Sequence, residues 1–217
     1  SDTLGLATPN YYANLVTRVL KETKIAVMVH AHNDFGLGVA NTLAGLTAGA
    51  LYCHVTVNGI GERAGMPPLE EVIMALKHLY SVDLGWDLKV LPKLSEIVSR
   101  ATGVPIHPWK PIVGSNVFAH ESGIHVAGTL RNSSMFEPFT PEEIGGHRRI
   151  VIGKHSGYHG IKPVLQEYGC KVDSNRAKVL LPFVRKEAVR LKRALSPEEL
   201  EKLNDTVTAI DINRNKS

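Results

Sequence analysis

A parallel α/β sheet passing into an α-rich tail is the fold class that this sequence predicts, on three observations. Short apolar runs at residues 25–29 and 52–57 alternate with segments whose apolar residues recur at helical spacing. His30, His32 and the glycine-rich Asn58-Gly59-Ile60-Gly61-Glu62-Arg63-Ala64-Gly65 follow those runs, at strand C-terminal ends where α/β folds place their chemistry. Beyond residue 80 the alternation stops, and helices joined by Pro- and Gly-rich connectors take over.

Residues 1–5 read as the end of a strand entering a loop. Thr8-Pro9 caps a helix, with the hydroxyl as acceptor and proline in the first turn, and Leu15, Val16, Val19 and Leu20 give it one apolar face. Residues 25–29, Ile-Ala-Val-Met-Val, suit a strand buried on both faces. Side chains two apart on a strand share a face, so His30 and His32 project together from its end, placed to hold one divalent cation or to form a plain polar strand end. Asn33-Asp34-Phe35-Gly36 turns into a small-residue helix over 37–50, a third strand runs over 52–57, and Pro67-Pro68 opens a helix to about residue 80. Three parallel strands with right-handed crossovers leave two unpaired edges. The sheet is therefore expected to be the later part of a (β/α)8 barrel completed by another polypeptide, a fragment of a longer chain, or a small open sheet sealed by its own helices.

The chain divides by composition into residues 1–85, the βα units; 86–150, a connector and first subdomain; and 151–217, a helical subdomain. Residues 88–102 form an amphipathic helix ended by Gly103-Val104-Pro105, and residues 105–117 an ordered connector. In His120-Glu121-Ser122-Gly123-Ile124-His125, a helix would set His120 and His125 on different faces and put Glu121 and His125 together at i, i+4. A carboxylate orients an imidazole and raises its pKa, so Glu121 and His125 are the candidate acid–base pair, with a surface ion pair as the plain alternative. Thr140-Pro141-Glu142-Glu143 and Ser196-Pro197-Glu198-Glu199 are capping boxes, each expected to start a helix. Gly153-Lys154-His155-Ser156-Gly157 between them is a tight turn able to approach phosphate or pack on a neighbour. Leu180, Leu181, Val184, Ala188 and Leu191 are ordinary core.

Of 217 residues, 25 are Lys or Arg and 21 Asp or Glu, and the net charge of +4 is scattered apart from the tail Asn213-Arg214-Asn215-Lys216. No basic stripe or aromatic interleaving suggests a nucleic-acid partner. No apolar run approaches ~18 residues, so no membrane partner is expected. Cys53 and Cys170 are far apart in sequence, as suits a reducing cytoplasm.

Five stretches, Asp2-Thr3-Leu4-Gly5, His30-Ala31-His32-Asn33-Asp34-Phe35-Gly36, Gly59-Ile60-Gly61-Glu62-Arg63-Ala64-Gly65, the His120–His125 stretch and Gly153-Lys154-His155-Ser156-Gly157, resemble in order and spacing the homocitrate, isopropylmalate and citramalate synthases. The nearest likeness is to homocitrate synthases of the nitrogen-fixation type. The resemblance implies a (β/α)8 barrel with small C-terminal subdomains, condensing acetyl-CoA with a 2-oxo acid, 2-oxoglutarate first among them, using a divalent metal (Mg, Mn or Zn). It implies that His30 and His32 are metal ligands and that Thr3 contacts the 2-oxo acid's carboxylate. Gly61, Glu62 and Arg63 would form the loop near the metal. His125 would reach as acid/base into a partner protomer's barrel, in a homodimer or in a hetero-oligomer with a chain carrying the N-terminal strands.

Two features depart from the family pattern. The strands carrying the family's acidic metal ligand and its active-site arginine and glutamate have no counterpart, so the chain alone is expected to be inactive. Met66 stands where many members have an asparagine that assists the metal, and a thioether is a poor ligand for a hard cation. A non-catalytic half-barrel would share both features. An aldol-type lyase of the wider superfamily would be expected to read His-x-His-Asp-Thr, and Asn33-Asp34 favours the synthase side.

Overall fold

The computed structural model describes residues 1–214, so the basic tail ends, at Asn215 and Lys216, outside the described residues. The chain forms two compact units, Ser1–Val117 and Phe118–Ser217.

In the first unit, Thr8 caps helix α1 (Pro9–Thr23) by accepting a hydrogen bond from the Tyr11 amide, as its sequence predicts. Strand β1 (Met28–Val29) pairs in parallel with β2 (Tyr52–Cys53), and an isolated parallel bridge joins Asp2 to Ala31 on the other side of β1. The three strand positions expected from sequence are therefore present, but short. The chain leaves strand geometry for a 3-10 turn at Val57–Gly59, where Asn58 adopts φ +61°, so the strand expected over 52–57 is truncated.

Helix α2 (Gly38–Thr47) joins β1 to β2, and helix α3 (Leu69–Tyr80) follows the glycine-rich loop. Tyr12 and Val16 of α1 pack with Val29 and Ala50, and Gly45 of α2 approaches Val29 so closely that an added Cβ would lie 2.7 Å from its Cγ1. Among the described residues this face of the strand is the covered one: Val29 and Ala31 are buried, whereas Met28, on the opposite face, is 49% exposed. The expectation of a strand buried on both faces fails here. Period-2 alternation assigns Met28, His30 and His32 to the face that α1 and α2 do not cover.

A 3-10 turn at Leu88–Val90, capped by Asp87, leads into helix α4 (Leu91–Thr102), which ends at Gly103 in the left-handed conformation. The connector beyond it is ordered: Lys110 Nζ lies 3.1 Å from Glu70 Oε1 and 2.9 Å from Glu71 Oε1 on α3. Glu70, almost fully buried, also accepts from the Asn58 amide. Asn58 Nδ2 donates to the Ser95 carbonyl and its Oδ1 accepts from the Ser95 hydroxyl, tying the glycine-rich loop to α4.

In the second unit, β3 (Ala119–His120) pairs in parallel with β4 (Arg149–Ile150). Helix α5 (Gly123–Arg131) begins directly after β3, and α6 (Tyr158–Glu167), α7 (Ser174–Leu191) and α8 (Pro197–Arg214) enclose a core of Ile161, Leu165, Leu180, Val184, Leu200 and Val207. Leu180, Val184 and Ala188 are buried as expected, with Leu181 partly buried against the same core. The two capping boxes part ways. Thr140 makes no side-chain cap, and Pro141–Ile144 is a single 3-10 turn rather than a helix, closed by Gly145 at φ +68°.

At the second box the pattern closes in full. Ser196 Oγ accepts from the Glu199 amide and Glu199 Oε2 accepts from the Ser196 amide. Arg193 donates two further hydrogen bonds to Glu199, and these, first, with the Ser196 amide second, hold its carboxyl at about 2, down from an ordinary 4.5. A carboxyl depressed in the folded state adds stability that is complete above its ordinary value and disappears as pH falls towards the depressed one. Acid titration of the second unit should therefore show loss of helix between about 4.5 and about 2, and Glu199→Gln should flatten that limb in circular dichroism melts. An unchanged acid limb in the variant would show that the box does not govern it.

Candidate active site

His30 is held by its peptide group before its side chain is considered. The Tyr12 hydroxyl donates to the His30 carbonyl (3.1 Å) and accepts from the His30 amide (3.2 Å), while the Asp2 amide donates to the same carbonyl (2.9 Å). Helix α1 and the N-terminal bridge thus fix the exit of β1. Neither interaction is visible in a linear motif, and Tyr12 was not among the residues that the sequence singled out.

The geometry brings His30 and His32 together. Their Nε2 atoms are 3.2 Å apart and their ring centroids 5.0 Å apart. Two nitrogens bound to one ion at ~2.0–2.1 Å, at angles from right to tetrahedral, lie ~2.9–3.4 Å apart, so this pair has the spacing of one edge of a coordination shell. Burial first, and the neighbouring His32 and His54 second, push His30 below the ordinary imidazole value, which favours the neutral ring that a metal requires. His32 Nδ1 is buried and finds no hydrogen-bond partner among the described residues. Among the described residues no three or more His, Cys, Asp or Glu side chains converge to hold an ion. A third imidazole, His54, stands beside His30 but faces its Nδ1, at 2.9 Å. Sequence reasoning missed it, although it follows β2 as His30 follows β1.

The glycine-rich loop closes over the next residues. Arg63, at φ +53°, gives Asp34 a bidentate pair (2.7 and 2.9 Å) and donates to the Thr3 carbonyl (2.8 Å). These hydrogen bonds hold the Asp34 carboxyl below its usual range and raise the guanidinium above its own. The Asn33 amide donates to the Gly65 carbonyl, and Asn33 Oδ1 accepts from the Gly38 amide at the start of α2. Gly65 is obligatory: its φ is +84°, and a Cβ there would collide with the Gly59 carbonyl. Gly61 and Glu62 are exposed on this loop, and the Glu62 carbonyl accepts from the Gly65 amide. Thr3 is exposed, and its hydroxyl lies 3.0 Å from that of Ser1.

In the second unit the expected Glu121–His125 pair does not form. Helical i, i+4 geometry requires both residues inside a helix, but Ser122 is extended (ψ 130°) and α5 starts at Gly123, so Glu121 precedes it. An antiparallel bridge from Ser122 to Ser156 runs the chain against the Gly153–Gly157 turn, where Gly123 and Gly157 cross so tightly that a Cβ on Gly123 would sit 2.7 Å from the Gly157 Cα. Glu121 Oε1 accepts from the His155 amide (2.9 Å), and the turn packs on its neighbour. His125 is exposed and stacks on Phe136, centroids 4.5 Å apart. His120 is buried against Glu137 (3.0 Å), which Arg148 also grips with two hydrogen bonds.

Replacing Arg63 by Lys keeps the charge but loses the planar fork. Arg63→Lys should leave circular dichroism unchanged while amide exchange accelerates at residues 2–7, 33–36 and 61–65. Unaltered exchange there would mean that the Asp34–Arg63–Thr3 tie does not hold the loop.

Comparison with known proteins follows this division. The HMGL-like family matches residues 1–98, and the homocitrate synthase post-HMGL domain-like family matches residues 112–192. The chain is 51% identical to a 2-phosphonomethylmalate synthase of Streptomyces rubellomurinus over 96% of its own length and 56% of the relative's. It is 49% identical to 2-isopropylmalate synthase 2 of Caldanaerobacter subterraneus subsp. tengcongensis (95% and 54%) and 47% identical to homocitrate synthase 1 of Nostoc sp. (92% and 53%). The chain spans about half the length of the curated relatives it matches. From its five motifs, its two family matches and these identities, the chain belongs to the homocitrate synthase and 2-isopropylmalate synthase family.

Proposed function

We propose that this chain provides the metal- and 2-oxo-acid-binding part of an acyltransferase that condenses acetyl-CoA with the ketone of a 2-oxo acid. The observation that carries the reading is the facing pair of His30 and His32 Nε2 atoms, 3.2 Å apart, at the end of β1. It is supported by identities of 47–51% to three synthases.

His30 and His32 would hold the divalent cation, Mg, Mn or Zn, with the remaining ligands from outside this pair. Such an ion, when bound, supplies Lewis-acid polarisation of the substrate carbonyl. Thr3, exposed next to the Asp2 bridge, would donate from its hydroxyl to the carboxylate of the 2-oxo acid. Arg63 keeps that segment in place through the Thr3 carbonyl, so its role is positional and its charge is spent on Asp34. His125, exposed and backed by Phe136, is the acid/base group offered to a partner protomer, moving a proton between the acetyl methyl carbon and solvent. Glu121 cannot assist it in this conformation, because its carboxylate is bonded to the His155 amide. The three relatives bear the names of three different products at nearly equal identity, so likeness alone does not choose the acceptor acid.

The test is release of free CoA from acetyl-CoA with 2-oxoglutarate, oxaloacetate, pyruvate and 2-oxoisovalerate in turn, with added divalent metal. The chain is assayed alone and with a polypeptide supplying the part of those relatives that it does not span. The expected result is activity in the mixture, with metal binding lost in His30→Ala and in His32→Ala. His125→Ala should bind metal normally and turn over ~10²-fold or more slower, the scale of an acid/base group. Wild-type metal affinity in both histidine variants would overturn the ligand assignment, and near-normal turnover in His125→Ala would make that residue structural.

A further inference from the structure

His30 is the middle member of a row of three imidazoles. Its Nε2 faces His32 Nε2 at 3.2 Å, and its Nδ1 faces His54 Nδ1 at 2.9 Å, with the His30 and His54 rings edge-on at 89°. A neutral imidazole carries one hydrogen. If the Nε2 lone pair of His30 serves a cation, that hydrogen must sit on Nδ1, where the group within hydrogen-bond distance is the Nδ1 of His54. His54 can accept it only as the tautomer with its own hydrogen on Nε2, and the ring is exposed, so that hydrogen can meet solvent.

The backbone makes this placement firm. The His54 amide donates to the Val29 carbonyl (2.9 Å), which registers the end of β2 against the residue immediately before His30. His54 does not itself aim at the point between His30 and His32, because its Nδ1 is turned to the opposite nitrogen of the His30 ring.

We propose that His54 is a positioning residue: it accepts the hydrogen bond from His30 Nδ1–H, fixing the tautomer and ring angle that turn the His30 Nε2 lone pair towards the cation shared with His32. This rests on the reading of His30 and His32 as cation ligands. Hydrogen bonds from the far nitrogen of a ligating histidine typically govern metal affinity by about 10–100-fold.

The experiment is titration of Mn2+ into the complete protein, read by calorimetry and by the electron paramagnetic resonance of free Mn2+. The proteins compared are the wild type, His30→Ala, His54→Phe and His54→Gln. Phenylalanine keeps the ring without an acceptor, glutamine restores an acceptor without a ring, and the exposure of His54 makes both compatible with folding. The expected result is one site in the wild type, none in His30→Ala, an intact stoichiometry with about 10–100-fold weaker binding in His54→Phe, and recovery of most of that loss in His54→Gln. Wild-type affinity in His54→Phe overturns the proposal, as does a glutamine variant as weak as phenylalanine. Loss of the site in His54→Phe as complete as in His30→Ala overturns it too, by making His54 a ligand. A wild type that binds no Mn2+, or a His30→Ala that binds it normally, overturns the underlying ligand reading instead.

Discussion

The carbonyl of His30 receives two donors, the Asp2 amide and the Tyr12 hydroxyl, and the same hydroxyl receives the His30 amide. Each such bond contributes only about 1 kcal/mol net, but together they come from three separate segments of the first unit: the N-terminal bridge, helix α1 and strand β1. With the peptide held from both ends, the side chain of His30 has little choice of direction. The facing nitrogens of His32 and His54 then follow from strand periodicity and from the parallel pairing of β1 with β2.

The glycine-rich loop is organised by the same economy of backbone contacts. Gly65 reaches φ +84° so that its carbonyl can accept from Asn33, and Arg63 takes a positive φ of its own to bring its guanidinium onto Asp34 and the Thr3 carbonyl. The charge of Arg63 is thereby neutralised by a carboxylate in the loop after β1, leaving it a brace between two strand ends rather than a free cation for a substrate. In the second unit the close crossing of Gly123 and Gly157 has a comparable effect: the chain stays extended at Ser122, α5 starts only at Gly123, and Glu121 bonds to the His155 amide rather than meeting His125.

Much of this was legible in the residues. Thr8-Pro9 and Ser196-Pro197-Glu198-Glu199 announce helix starts because their capping partners lie within three residues, and the structure forms both. Thr140-Pro141-Glu142-Glu143 has the same pattern and yields one 3-10 turn, since Gly145 ends it before a second turn can form. The strand over residues 25–29 has the composition of a two-sided core element, yet among the described residues its packing lies on the side of Val29, against Tyr12 and Val16 of α1 and Gly45 of α2.

Periodicity along the sequence determined that His30 and His32 share a face, because residues two apart in a strand must. It likewise determined the order of strands and helices and the core stripe of α7 through Leu180, Val184 and Ala188. Only the tertiary structure decided which partners those residues meet. The approach of His54 to His30 spans 24 positions, that of Arg63 to Thr3 60, and that of Glu121 to the His155 amide 34. Local spacing rules operate over about four residues, and contacts at those separations exist only once strand pairing and the glycine crossings have brought distant backbone together.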